Sequence, residues 1–314
     1  MSTEPYRIDV HHHILPPEYI SALARAGITS SGGRPIPEWD LQSTLALMDR
    51  HAIATAITSI SEPGIFFGDV AFARDLARRC NEFSAQLIQE YPRRFGAFAI
   101  LPLPDIDASL RELEYALDAL KLDGVVLLSS VDGRYPGDPL FDELFTELNK
   151  RKAVIFLHPT VPAINRELKL DLPPFLIEFV FDTTRAVTNL LYSGTFERCP
   201  DIRYIVAHAG GTVPFLAYRI SMGQIMLSGV PQGALTYLKQ LHYDTALSAN
   251  PNALQSLQAL VDTSHIHFGS DYPFAPELAL FLATQGIQNF NGFDEQARKA
   301  IERESALALF PRFQ

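Results

Sequence analysis

The stretch RIDVHHHILP at residues 7–16 sets three of the chain's nine histidines side by side. Side chains alternate faces along an extended strand, so His11 and His13 fall on one face and His12 on the other. Two imidazoles on one face can share a cation, while the middle one faces outward or supports them from behind. A polar turn would show the same spacing. Three further strand-like runs shift that balance. AVIFLHP reaches His158, IRYIVAHAGG reaches His208 with glycines behind it, and IHFGSDYPF carries Asp271. Four histidines and an aspartate at the ends of four apolar runs point to a divalent metal, because imidazole with carboxylate suits Zn²⁺, Mn²⁺ or Fe²⁺. His11, His13, His158 and Asp271 as ligands leave room for water or substrate, as a catalytic site requires. His208 is then a fourth imidazole near the ion, placed to move protons.

Such residues need a frame that gathers strand ends at one place. Eight short apolar runs offer it: 7–11, 54–61, 95–102, 124–130, 153–158, 202–208, 241–247 and 266–271. Several are apolar on both faces, the mark of parallel strands covered by helices. Helical patterns lie between them. The segment 69–91 opens on an Asp cap candidate, 107–121 repeats the pattern, and 138–151 opens on Asp-Pro. Eight strand–helix units predict a (β/α)8 TIM-type barrel with small loop insertions, read as one domain over 1–314. In such a barrel the C-terminal strand ends meet at one mouth, where long loops build the site. Two such loops are visible, 29–40 and 159–174.

Composition narrows the function classes. The chain has 314 residues, 47% hydrophobic, with a formal net charge of −10. An acidic surface repels phosphate backbones and anionic lipid, which argues against nucleic-acid and membrane partners. The opening MSTEPYRIDV lacks the apolar core of a leader, and no apolar run approaches 18 residues, so a cytoplasmic protein is expected. Cys80 and Cys199 form no CxxC and no disulfide framework. Cys80 falls in a helical pattern and reads as a buried thiol.

Taken in order, IDVHHHILP, YPRRFGAFAILPL, FLHP, FERCPDIRYIVAHAGG, PFLAYRI and FGSDYPF resemble the amidohydrolase superfamily. The closer resemblance is to its aminocarboxymuconate semialdehyde decarboxylase-like branch, with the γ-resorcylate and 6-methylsalicylate decarboxylases. It spans almost the whole chain. It implies a metal held by His11, His13, His158 and Asp271, and His208 as acid or base beside it. It implies that Arg219 crosses a dimer interface to a substrate carboxylate, and that Phe274 lines the pocket. Two-metal members carry a bridging Lys or Glu after the fourth strand, where GVVLLSS has neither, so one metal is expected. Zinc is the leading expectation and manganese the second. The muconate enzyme carries a Trp after HP, whereas HPTVP has none, which turns the expectation toward aromatic acids.

Decarboxylation leaves an electron pair on carbon and needs an electron sink, which a metal beside a phenolate or enolate oxygen supplies. The expected activity is therefore a non-oxidative decarboxylase of an aromatic hydroxy acid or a related enol or semialdehyde acid. His208 and Asp271 are the proton-transfer candidates. The alternative is a metal-dependent hydrolase of a lactone or similar ring, since one metal can also generate hydroxide. Arg34, Arg185 and Arg219 are candidates for a carboxylate fork, with a helix-surface ion pair as the other reading of Arg185. Phe66, Phe67 and Phe274 suit a planar apolar substrate. The expected partners are a small carboxylic acid and a second copy of the chain.

Overall fold

The computed structural model describes residues 6–314, so the first five residues, part of the opening read above and of the expected 1–314 domain, lie outside the described residues. Strand β1 (Arg7–His13) is followed by a small antiparallel hairpin, β2 (Ser30–Ser31) and β3 (Arg34–Pro35). The large sheet continues with β4 (Ile53–Ser59), β5 (Phe95–Ile100), β6 (Gly124–Leu128), β7 (Val154–His158) and β8 (Arg203–Val206). It ends with β9 (His242–Asp244) and β10 (Ile266–His267). The order β1-β4-β5-β6-β7-β8-β9-β10 follows the sequence, and every pairing in it is parallel. Val10 N donates to Phe268 O at 3.0 Å and His13 N to Tyr272 O at 2.7 Å, which draws the last strand back to the first. All eight expected strands are present, and the sheet with its flanking helices is a nearly closed (β/α)8 barrel.

The helices begin where the chain offers caps. Asp69 accepts from Phe72 N at 3.1 Å and opens the helix Val70–Glu90, which buries Ala73, Leu76, Ala77, Cys80 and Leu87 along one stripe. Deleting the Leu76 side chain would cost about 2–5 kcal/mol, because the stripe packs on the sheet. Cys80 is buried as expected. Asp138 and Pro139 open the segment that becomes the helix Asp142–Lys150.

Inside the barrel Phe98 stacks on Phe156 at 5.3 Å, and Phe156 meets His11 edge-on at 4.8 Å. The metal-type residues thus rest on an aromatic floor that shuts them off from the lower barrel. Above them, the Gly/Pro-rich insertion 29–40 forms the hairpin instead of a free loop. Gly32 and Gly33 have φ of +56° and +84°, and a Cβ on them would strike Phe179 and Pro174 at 2.8 and 2.7 Å. The buried Glu62 clasps the hairpin, accepting from Gly32 N at 2.8 Å and from the Ser31 hydroxyl. Among the described residues no helix is long and apolar enough to cross a membrane.

Candidate metal centre

The strand ends bring the chemistry together. His11 Nε2 lies 3.1 Å from His13 Nε2, and Asp271 Oδ1 lies 3.2 Å from both. Donor atoms of His11, His158, His208 and Asp271 all fall within 4.8 Å of one another. Corners of a metal polyhedron with ligand distances near 2.0–2.2 Å stand about 3.0–3.5 Å apart, which is the spacing of the His11–His13–Asp271 triangle. His208 therefore stands among the donors and not at a distance from them. His13 touches two of the group without closing to within that limit of every member.

Each imidazole has its other nitrogen occupied. Nδ1 of His11 meets Asp244 Oδ2 at 2.8 Å, and Nδ1 of His13 meets Ser59 Oγ at 2.9 Å. Nδ1 of His158 meets Pro159 O at 2.8 Å, and Nδ1 of His208 meets Ala246 O at 3.1 Å. Four rings are pinned through Nδ1, the arrangement that orients metal-bound histidines, and Nε2 of His11 and of His13 stand beside Asp271. His12 turns the other way, its Nδ1 on Asp9 Oδ2 at 2.9 Å.

Backbone geometry carries a local strain here. His208 and Asp271, each just past a strand, have φ of +55° and +60°. Such left-handed residues cost on the order of 1–2 kcal/mol each. The Asp244 carboxylate offsets part of that at His208, accepting its N–H at 3.0 Å. The segment after β8 is a left-handed turn followed by a separate helix, Val213–Ser221. No continuous helix runs from His208 to Arg219, because His208, Ala209 and Gly211 all have positive φ.

Burial sets the protonation states. It drives His13 down to about 4 and His158 well below the ordinary imidazole range, with neighbouring imidazoles adding to the effect. His208 is lowered by burial and by His11. Burial also opposes charge on His11, but Asp244 and Asp271 outweigh it and hold the ring at about 10. Burial would raise Asp271, yet hydrogen bonds from His11 and His13 keep it well below the carboxylate range. His13, His158 and His208 are thus neutral donors beside an ionised carboxylate, and His11, charged between two carboxylates, gives up its proton when an ion binds, so the residues fit a metal.

The group opens into a cavity of about 570 Å³ lined by His158, His208 and Asp271. Arg34, Phe175, Phe179, Leu247 and Phe274 also line it. Arg34 lies over the Phe175 ring at 5.2 Å, and its guanidinium reaches toward Phe274 O at 3.5 Å. Phe274 meets His13 edge-on at 5.4 Å. Arg185 does not line this cavity. It lies 3.8 Å from Asp182 and 3.9 Å from Glu178, acids of its own helix that are buried, so its partners are not the helix-surface acid expected. Arg219 is exposed on the helix Val213–Ser221, away from its own cavity. Phe66 and Phe67 line a separate cavity of about 800 Å³ that holds none of the metal-type residues, so they are not walls of this site. Asp244, Ser59 and Glu62 are supports that sequence reasoning missed. Asp244 alone had a signal, an acid ending the strand-like run HYD.

A parallel barrel with imidazoles and a carboxylate gathered at its mouth is the framework of a metal-dependent enzyme. The chain belongs to the amidohydrolase family, whose model matches residues 8–312. It is 39% identical to the decarboxylase yanB of Aspergillus niger, over 98% of this chain and 88% of that one. It is 35% identical to the 6-methylsalicylic acid decarboxylase of Penicillium expansum, over 98% and 96%. Among solved structures, the 2,6-dihydroxybenzoate decarboxylase from Rhizobium superposes with a TM-score of 0.80 at 25% identity, covering 98% of each chain.

Proposed function

We propose that the single domain spanning residues 1–314 is a metal-dependent, non-oxidative decarboxylase of an aromatic hydroxy acid. The observation that carries it is the gathering of donor atoms from His11, His158, His208 and Asp271 within 4.8 Å of one another, beside a cavity that also holds Arg34. Relatives with 39% and 35% identity over almost the whole chain are decarboxylases, which favours carbon–carbon lysis over ring hydrolysis.

His11, His13, His158 and Asp271 would hold one divalent ion, with zinc first by donor type and manganese second. When bound, the ion supplies positive charge that polarises the oxygens of an ortho-hydroxy acid. His208 or Asp271, neutral and ionised at rest, first takes up a proton and then delivers it to the ring carbon that bears the carboxylate. The carbon–carbon bond then breaks, its electron pair returns to the ring, and carbon dioxide leaves beside a phenol. Arg34 orients the carboxylate before that step by its planar fork. Phe175, Phe179 and Phe274 exclude water, and in a dry cavity loss of the charged carboxylate is favoured.

The active unit is a homodimer in this reading. Phe215 and Met226 are 82% and 84% exposed, and Tyr218 and Ile225 join them on the face that carries Arg219. Exposed apolar side chains concentrated on one face mark an interaction surface. A two-fold contact there carries Arg219 outward to the neighbouring site. A cytoplasmic location completes the reading. Incubation with salicylates, followed by measurement of carbon dioxide and phenol, tests the activity; release of ring-opened or hydrolysed products in their place would refute it.

A further inference from the structure

Leu247 follows β9 at φ +53°, a backbone region that glycine and asparagine enter readily and a branched apolar residue resists. It is 47% exposed and lines the metal cavity. The turn around it is fixed from both sides. Ala246 N donates to Asp244 Oδ1 at 2.9 Å, and Ser248 N donates to Thr245 O at 3.0 Å. The peptide joining residues 246 and 247 turns its carbonyl toward His208 Nδ1 at 3.1 Å. Holding His208 thus requires the left-handed turn, but an asparagine or glycine would satisfy it with less strain. A leucine there indicates that the side chain itself is used.

The surroundings say for what. The imidazoles, Asp271 and Arg34 bring the ring nitrogens and charges of the cavity, and Ser31, Ser61 and Ser248 its hydroxyls. Leu247 lines the same cavity as Phe179, Val180 and Phe274, and the Ser31 hydroxyl there is spent on Glu62. A ring hydroxyl against the Leu247 side chain would lose water and gain no partner from it, whereas an alkyl group would bury apolar surface.

We propose that Leu247 is the specificity-determining wall of the cavity, selecting alkyl-substituted aromatic hydroxy acids over those with a second hydroxyl. This rests on the aromatic-acid reading above, and the test separates the two. Calorimetry on the metal-loaded protein gives the affinity ratio of 6-methylsalicylate to 2,6-dihydroxybenzoate for wild type, Leu247→Asn and Leu247→Ala, with turnover measured in parallel. Wild type is expected to favour the methyl acid by about tenfold or more, as for one methyl in an apolar pocket. Leu247→Asn suits the left-handed turn and is close in size, so it should melt no lower than wild type while erasing or inverting that ratio. Leu247→Ala should admit longer alkyl chains. A ratio unchanged within about twofold in both variants, or a wild-type preference for the dihydroxy acid, overturns the proposal. A shifted ratio without carbon dioxide release sustains Leu247 and refutes decarboxylation. Failure of wild type to bind either acid refutes both.

Discussion

His11 Nδ1 lies 2.8 Å from Asp244 Oδ2, and neither side chain has any exposure. The same carboxylate accepts from the backbone N–H of His208 at 3.0 Å. One buried group thereby fixes the metal-facing nitrogen of His11 and the left-handed turn of His208. Asp244→Asn keeps the shape and removes the charge. It should lower metal affinity about 10–100-fold, as loss of such supports does elsewhere. Titration against a chelator of known affinity checks this, and unchanged affinity would leave Asp244 a purely structural acid.

His208 separates two roles. If it transfers protons, His208→Ala should keep about one metal per chain while turnover falls on the order of 10² to 10⁴-fold. Metal content and kcat measured on the same preparation decide between them. Loss of the metal would make His208 a ligand, the other role its place among the donors permits.

Arg219 tests the shared site. His208→Ala and Arg219→Ala chains, each inactive alone, should recover part of the activity when mixed under verified subunit exchange. Hybrid dimers gather both defects in one site and leave the other whole. No recovery, or a fully active monomer by sedimentation, would exclude the shared site.

A second histidine cluster lies away from the metal centre, on β9, β10 and the turn Thr263–His265 that leads into β10. His265 stacks on His242 at 4.5 Å, and His267 Nε2 lies 2.9 Å from His242 Nδ1. Burial, then the positive charges that His265 and Arg203 can bring, push His242 down to about 3 from an ordinary 6.5. The folded chain keeps this ring neutral and the unfolded chain protonates it. Its stabilisation is therefore complete above pH 6.5 and is lost as pH falls from 6.5 toward 3, by up to about 1.4 kcal/mol per pH unit. Urea midpoints of metal-free protein at pH 7 and 4.5 should drop less for His242→Gln than for wild type. Equal drops would contradict the assignment.

The sequence made the barrel legible because each strand is a short apolar run and each long helix has a 3.6-residue stripe. The metal-type residues were legible for the same reason: His11, His13, His158, His208 and Asp271 stand at or just past strand ends. Their supports were not. Asp244 and Glu62 act across the mouth on residues that are 233 and 30 positions away, and no local pattern encodes such pairs. The hairpin Ser30–Pro35 was hidden because its fold depends on Phe179 and Pro174 packing against Gly32 and Gly33. Phe66 and Phe67 misled because composition cannot say into which of two cavities an aromatic loop falls.

In the proposed reaction a metal-dependent protonation of the ring precedes loss of the carboxylate. Turnover of an ortho-hydroxybenzoate in D2O measures it directly. The expected result is one carbon dioxide per phenol, with one deuterium on the vacated carbon, abolished by chelation and restored by added zinc or manganese. Consumption of the acid without carbon dioxide, or undiminished carbon dioxide release from the metal-free protein, would contradict it.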